Sequence, residues 1–160
     1  MTPATPKQKL RFDSLEQEAY LSLWRTYDRL RLLEDELFAQ FDLTAQQYNL
    51  LRILKAAHPD AVPTLTLASR LVSRAPDITR MLDRLKDRGL IERERSEEDR
   101  RAVLVTITQQ GLALLEEITQ PLAECHEHQL GHLSSNDLKT LVRLLKKVRS
   151  PHEDDNSPWK

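Results

Sequence analysis

At 160 residues, with 31% charged and 39% hydrophobic side chains, the chain has the profile of one globular unit with a real core plus extensions. Only three glycines punctuate it, which suits helices and speaks against a sandwich or barrel built from many tight turns. A formal net charge of −1 excludes an unspecific polybasic coat, so contact with a polyanion must come from local arrangement of charge.

The first segment, "MTPATPKQKLRF", carries basic residues but no apolar h-region, and residues 1–12 read as a flexible arm rather than a signal peptide. No apolar run approaches a membrane span. The single cysteine, Cys125, excludes an internal disulfide framework and fits a cytoplasmic location. From Asp13 to Phe41, apolar side chains (Leu15, Tyr20, Leu23, Trp24, Tyr27, Leu30, Leu37, Phe41) recur at helical spacing. That helix is apolar on more than one side, a surplus that calls for a partner outside its own domain.

"TAQQYNLLRILKAAHP" opens with Thr44 and Gln47 spaced as a capping box and stops at His58-Pro59. After a loop, "DAVPT", a short helix is predicted from about Thr66 to Val72. A three-residue turn follows, then a second helix starting near Pro76 and ending at Gly89. Ile78, Leu82 and Leu85 form its buried stripe, leaving Thr79, Arg80, Asp83, Arg84 and Asp87 outside. Two short helices with a polar face on the second make a helix-turn-helix. "LIERE" and "AVLVTI" then flank "RSEEDRR" as a β-hairpin with a charged tip: Ile91 to Arg101 holds nine charged residues. Thr108 caps a further helix that contains Pro121, which deprives the Glu117 carbonyl of its helical partner, so a kink is expected near Glu117. Ser134 or Ser135 caps the last one, with Leu138, Leu141, Leu145 and Val148 on one face. The acidic, proline-bearing tail over 150–160 is expected to lack structure.

A recognition helix reads base edges in the major groove. Arg74, Thr79 and Arg80 lie where base or adjacent phosphate contact is made, and Arg84, one turn on, suits a phosphate. Lys86 and Arg88 are left unassigned. The competing reading is a solvated face tied by ion pairs to Asp83 and Asp87. At the hairpin tip, Arg100 and Arg101 suit a narrow minor groove, and Asp99 would brace the tip by accepting a charge-assisted hydrogen bond from a neighbouring arginine. Between Arg70 and Arg101 ten basic residues face eight acidic ones, so arrangement outweighs total charge.

The element order resembles MarR-type transcriptional regulators. The resemblance is strongest over Leu65 to Ile118. "DRLKDRGLIER" joined to "SEEDRRAVLVTITQQG" carries it, with the Asp-x-Arg wing motif as Asp99, Arg100 and Arg101. It implies a mainly α fold with a small β-hairpin wing: a winged helix-turn-helix over 42–107, with dimerisation helices over 13–41 and 108–149. It further implies a homodimer on a pseudo-palindromic operator of double-stranded DNA, most often as a repressor, with no enzyme activity and no cofactor. Members often bind small aromatic anions between the dimer helices and the DNA-binding lobe, a cleft that Tyr20, Trp24, Tyr27 and Tyr48 would line. Some relatives sense zinc, and Cys125, His128 and His132 share a helical face with metal-ligand spacing. Such residues are more often packing groups, so no metal is assigned. The alternatives carried forward are a winged-helix interaction module without DNA binding and a metal-responsive regulator using Cys125, His128 and His132.

Overall fold

The computed structural model describes residues 10–160. Most of the arm expected over 1–12 therefore lies outside the described residues. Ser14 starts α1 (Leu15–Ala39) by accepting a hydrogen bond from the Gln17 amide, while the Gln17 side chain accepts one from the Asp13 amide. Of its 25 residues only Leu37 and Phe38 are buried, so the helix joins its own core only at its last turn. In α2 (Ala45–Ala57) both bonds of the Thr44–Gln47 capping box are present. Leu50, Leu51 and Leu54 of α2 form the centre of the core with Leu67, Leu82, Leu85, Ile91, Val105 and Ile118.

The sheet has three antiparallel strands, one more than the hairpin requires. β2 (Ile91–Arg95) pairs with β3 (Val103–Ile107) from Ile91 opposite Ile107 to Arg95 opposite Val103. On the far side of β3 lies β1 (Val62–Pro63), within the segment read as a loop. Two residues offer no period to read. This strand exists because β3 supplies its partners, with Thr64 donating to the Val103 carbonyl at 3.0 Å.

Between them, α3 (Thr64–Arg70) starts and ends differently from the sequence reading, and α4 (Ile78–Asp87) starts later. The first is shifted toward the N-terminus, and seven residues rather than three separate the helices. Pro76 and Asp77 form a turn before α4 instead of its first turn. Asp77 does not cap the helix through its side chain; its carboxylate sits 3.2 Å from the Arg80 guanidinium. The long connection is held from α2. Buried Asn49 accepts the Val72 amide at 2.9 Å, and Gln46 donates to the Arg74 carbonyl.

Gly89 ends α4 with φ +71°, its amide bonding to the Lys86 carbonyl while the Leu90 amide reaches back to Leu85. This is a Schellman termination, which needs a left-handed residue at that position. Thr108 starts α5 (Gln109–Leu130) by accepting the Gly111 amide at 3.0 Å, and the same hydroxyl donates to the Gly89 carbonyl at 2.7 Å. α5 runs through Pro121 as one helix and packs along α1: Gln129 donates to the Leu30 carbonyl at 2.8 Å, and His126 lies 3.1 Å from Glu34. In α6 (Ser135–Arg149), Ser134 is the cap, with Asp137 completing a second capping box, and no residue is buried.

The tail departs from expectation. After a 3-10 turn (Ser150–His152) it folds back on the end of α6. Arg149 donates to the Trp159 carbonyl at 3.1 Å, lies 3.5 Å from Glu153, and stacks its guanidinium over the indole at 5.7 Å. Acidic composition suggested disorder, but one tryptophan and one arginine form enough contact to close the loop.

Replacing Thr108 by valine keeps the shape and removes both hydroxyl bonds, so a loss of about 1–3 kcal/mol is expected from urea unfolding midpoints. Serine at the same position should retain most of the stability. Equal stability for valine would mean that the hydroxyl does not hold this junction.

Candidate nucleic-acid interface

Helix α4 buries Leu82 and Leu85, half-buries Ile78 and Met81, and turns Thr79, Arg80, Asp83, Arg84 and Asp87 to solvent. The expected face is therefore open, although its charges are not tied as the competing reading supposed. Arg80 pairs with Asp77, both side chains remaining well exposed, so the pair contributes little and leaves the guanidinium available. Asp83 points instead to Arg93 on β2, linking the recognition helix to the wing. Arg84 has no ion pair among the described residues; it lines a 520 Å³ cavity with Asp42, Thr44, Gln47 and Asp87, between the α1–α2 junction and α4. Arg74 lies exposed in the α3–α4 connection.

Arg88, unassigned from sequence, has a defined role. Its guanidinium donates to the carbonyls of Asp42 and of Phe41 (3.1 Å), directly after α1. A cation at a helix C-terminus meets the negative end of the dipole and satisfies free carbonyls. It thereby fastens the end of α4 to the end of α1. Its partners lie more than 40 positions away in sequence, and no local signal announces them.

The wing tip over 96–102 closes on itself. The Ser96 amide bonds to the Ala102 carbonyl at 2.9 Å, and the Ala102 amide to the Asp99 carbonyl at 2.9 Å. The Asp99 amide donates to the Ser96 hydroxyl at 3.2 Å. Asp99 does brace the tip, but its carboxylate accepts from the Arg101 backbone amide at 3.0 Å rather than from a guanidinium. An aspartate bonding its backbone two residues on is an Asx-turn, which needs no long side chain to be ordered. Arg100 and Arg101 are left exposed, with no carboxylate paired to either among the described residues.

The aromatic residues proposed to line a cleft do not meet within one chain. Tyr20 and Trp24 lie on the open face of α1, 64% and 60% exposed, with ring centroids 6.3 Å apart, and Tyr27 is also exposed. Tyr48 is half-buried and stacked on Phe38 at 4.7 Å, at the other end of that helix. Burial pushes its hydroxyl pKa up, Arg52 opposing and Glu34 adding. The shared face of Cys125, His128 and His132 is also interrupted, because α5 stops at Leu130 with Gly131 as its cap and leaves His132 beyond the helix. No group of three or more His, Cys, Asp or Glu is placed to hold a metal among the described residues. Cys125 packs half-buried against the core.

The family model described as MarR family matches residues 43–103, the segment from just before α2 to the first residue of β3. Over 119 residues the chain is 35% identical to the multiple antibiotic resistance protein MarR of Salmonella typhimurium, covering 74% of this chain and 81% of that protein. The chain belongs to the MarR family. The counterpart from Escherichia coli K12 is 34% identical over the same length. Among solved structures, a MarR transcription factor from Planctomyces limnophilus is 56% identical, with a TM-score of 0.68 over 85% of this chain and 98% of that one. A mutant MarR from Escherichia coli complexed with operator DNA is 29% identical, with a TM-score of 0.74 over 85% and 99% of the two chains. Bordetella bronchiseptica BpsR, whose DNA binding is regulated by 6-hydroxynicotinic acid, is 27% identical, with a TM-score of 0.73 over 82% and 98%. As a MarR-family member the chain is a DNA-binding transcriptional regulator of winged-helix architecture, not an enzyme. No helix among its described residues is long and apolar enough to cross a membrane.

The Cys125 thiol pKa is raised, first by burial and then by the negative charge of Glu34. A raised pKa means less thiolate at neutral pH, and the thiolate is the reactive form. Iodoacetamide should therefore label Cys125 in the folded protein more slowly than free cysteine at pH 7, with the rate rising at higher pH than for the free amino acid. A rate equal to that of free cysteine would overturn this assignment.

Proposed function

We propose that this MarR-family regulator acts as a cytoplasmic homodimer, repressing transcription from a pseudo-palindromic double-stranded operator and released by a small aromatic anion. The observation that carries the DNA reading is the pairing of an open, polar recognition face with a self-closed wing tip whose two arginines meet no carboxylate among the described residues. Arg74, Thr79 and Arg80 are the base-proximal groups, Arg84 a phosphate contact, and Arg100 and Arg101 the wing contacts to the minor groove.

The homodimer is supported by apolar surface that one chain leaves uncovered. Leu15, Tyr20, Leu23, Trp24 and Tyr27 on α1, and Val142, Leu144 and Val148 on α6, are all exposed. Exposed apolar patches of this kind mark association surfaces, and a two-fold dimer reads half-sites about 10 bp apart. Association also gives the aromatic face of α1 a second wall, which an effector of the 6-hydroxynicotinic acid type would need. That relative supports a small-molecule effector without fixing its identity.

Binding is tested by selecting fragments of the source genome and titrating the recovered sites. Specific affinity should fall steeply with salt as counterions are released. Replacing Arg100 and Arg101 together by alanine should weaken binding about tenfold or more and flatten the salt slope by about one to two units. The melting temperature should move by no more than about 2 °C, since both side chains are free at the surface. Undiminished affinity would remove the wing from the interface, and absence of any selected site would favour an interaction module. Sedimentation at nanomolar concentration should still show a dimer; a stable folded monomer there would overturn the assembly.

A further inference from the structure

The part of the recognition unit with least structure of its own is the connection from α3 to α4. Among the described residues, no amide over 72–75 donates to a backbone carbonyl. Pro76 disfavours the α region for Ala75, so α4 does not extend backward to close the gap. A segment without hydrogen bonds of its own keeps one conformation only where other groups supply the partners.

Two side chains of α2 supply them. Asn49, itself buried, accepts the Val72 amide at 2.9 Å, and Gln46 donates to the Arg74 carbonyl at 3.4 Å. The two stand three positions apart and so share one face of the helix. Their own footing is firm. The Thr44–Gln47 capping box closes the first turn of α2, and Leu50, Leu51 and Leu54 root the helix in the core. On either side of the tied stretch an apolar side chain turns inward, Leu71 buried and Ala75 packed against the core. Val72, Ser73 and Arg74 between them are exposed. These three residues bulge outward between two apolar anchors, their backbone held from behind by α2.

We propose that Asn49 is a positioning residue for DNA binding. It touches no DNA; its side-chain oxygen sets the backbone from which Arg74 reaches the duplex, and Gln46 is a second, weaker tie. The inference rests on the reading of Arg74 as a base-proximal group. An arginine carried on an ordered backbone loses little further freedom on binding. Where only a fraction of molecules hold the binding geometry, the apparent affinity falls by that fraction. Asn49 thus raises affinity by keeping the connection in that geometry before DNA arrives.

Asn49→Leu removes the acceptor at nearly constant size. In the free full-length protein, amide exchange at Val72 should then accelerate about tenfold or more, while Leu54 in the same helix changes by less than about twofold. Asn49→Asp keeps an acceptor and should restore the protection of Val72. Against a DNA fragment selected from the source genome, Asn49→Leu should raise Kd about fivefold. In an Arg74→Ala background the same replacement should cost less than about twofold, and in an Arg100→Ala background the full amount. A generally loosened fold would weaken binding equally in both backgrounds; that result would overturn the proposal, as would unchanged exchange at Val72. If the Asn49→Leu chain does not fold, Gln46→Ala at an exposed position carries the same cycle. Its loss should be about twofold and vanish in the Arg74→Ala background, and an equal loss in both backgrounds overturns the proposal there too. Full affinity in Arg74→Ala alone would remove Arg74 from the interface, and this inference with it. Weakened binding in Arg74→Ala beside full affinity in Asn49→Leu would overturn this inference alone.

Discussion

One hydroxyl holds the DNA-binding lobe to the helix that follows it. Thr108 accepts the Gly111 amide in the first turn of α5 and donates to the Gly89 carbonyl, and its own amide donates to the Leu90 carbonyl. Gly111 lets the parts approach: a Cβ there would lie 2.4 Å from the Leu90 carbonyl oxygen and 2.7 Å from the Ile107 side chain. Contact at that distance cannot be relieved by rotating a side chain, because the nearer atom is backbone. The end of α4, the return strand of the wing and the start of α5 therefore meet with no room for slack. The attitude of the recognition helix relative to the remainder of the chain follows from that meeting.

Charge is divided between groups spent on the fold and groups left outside it. Asp83 and Arg93 join α4 to β2, Arg88 fastens α4 to the end of α1, and Asp99 closes the wing tip through an amide. Arg74, Arg84, Arg100 and Arg101 have no such engagement among the described residues, and Arg80 has only an exposed one. This division resolves how a chain of net charge −1 presents a basic surface. Each structural ion pair removes one cation with one anion, so the modest local surplus is unchanged and the basic character depends on where the free arginines sit.

What could be read in the sequence was local. Thr44 with Gln47, Gly89 after α4, and Thr108 before α5 are signals spanning a few residues, and each forms the bond its spacing implies. The helical stripe of Leu82 and Leu85 and the alternation of the hairpin are similarly short-range patterns. What escaped reading depends on distant partners. β1 exists through β3, Asn49 serves a turn 23 positions on, and Arg88 reaches back 46 and 47 positions to carbonyls. Composition misled for the tail, since hydropathy averages conceal a single tryptophan with an arginine to cover it. The candidate site residues rest on their place in a recognisable element order, and for Asp99 the bond is with the Arg101 amide rather than a guanidinium.

The Arg88 clamp also has a mechanical side. Helix α1, with 25 residues, is about 37 Å long, and its C-terminal end is fastened to the recognition helix while its opposite end projects from the lobe. It is a lever with the DNA-reading element at its tip. A rotation of only about 5° over that length displaces the tip by about 3 Å, roughly the rise of one base pair along DNA. Under the proposed operator reading, a tilt of that size pivoting on the uncovered N-terminal end of the helix would carry the recognition face by about one base step.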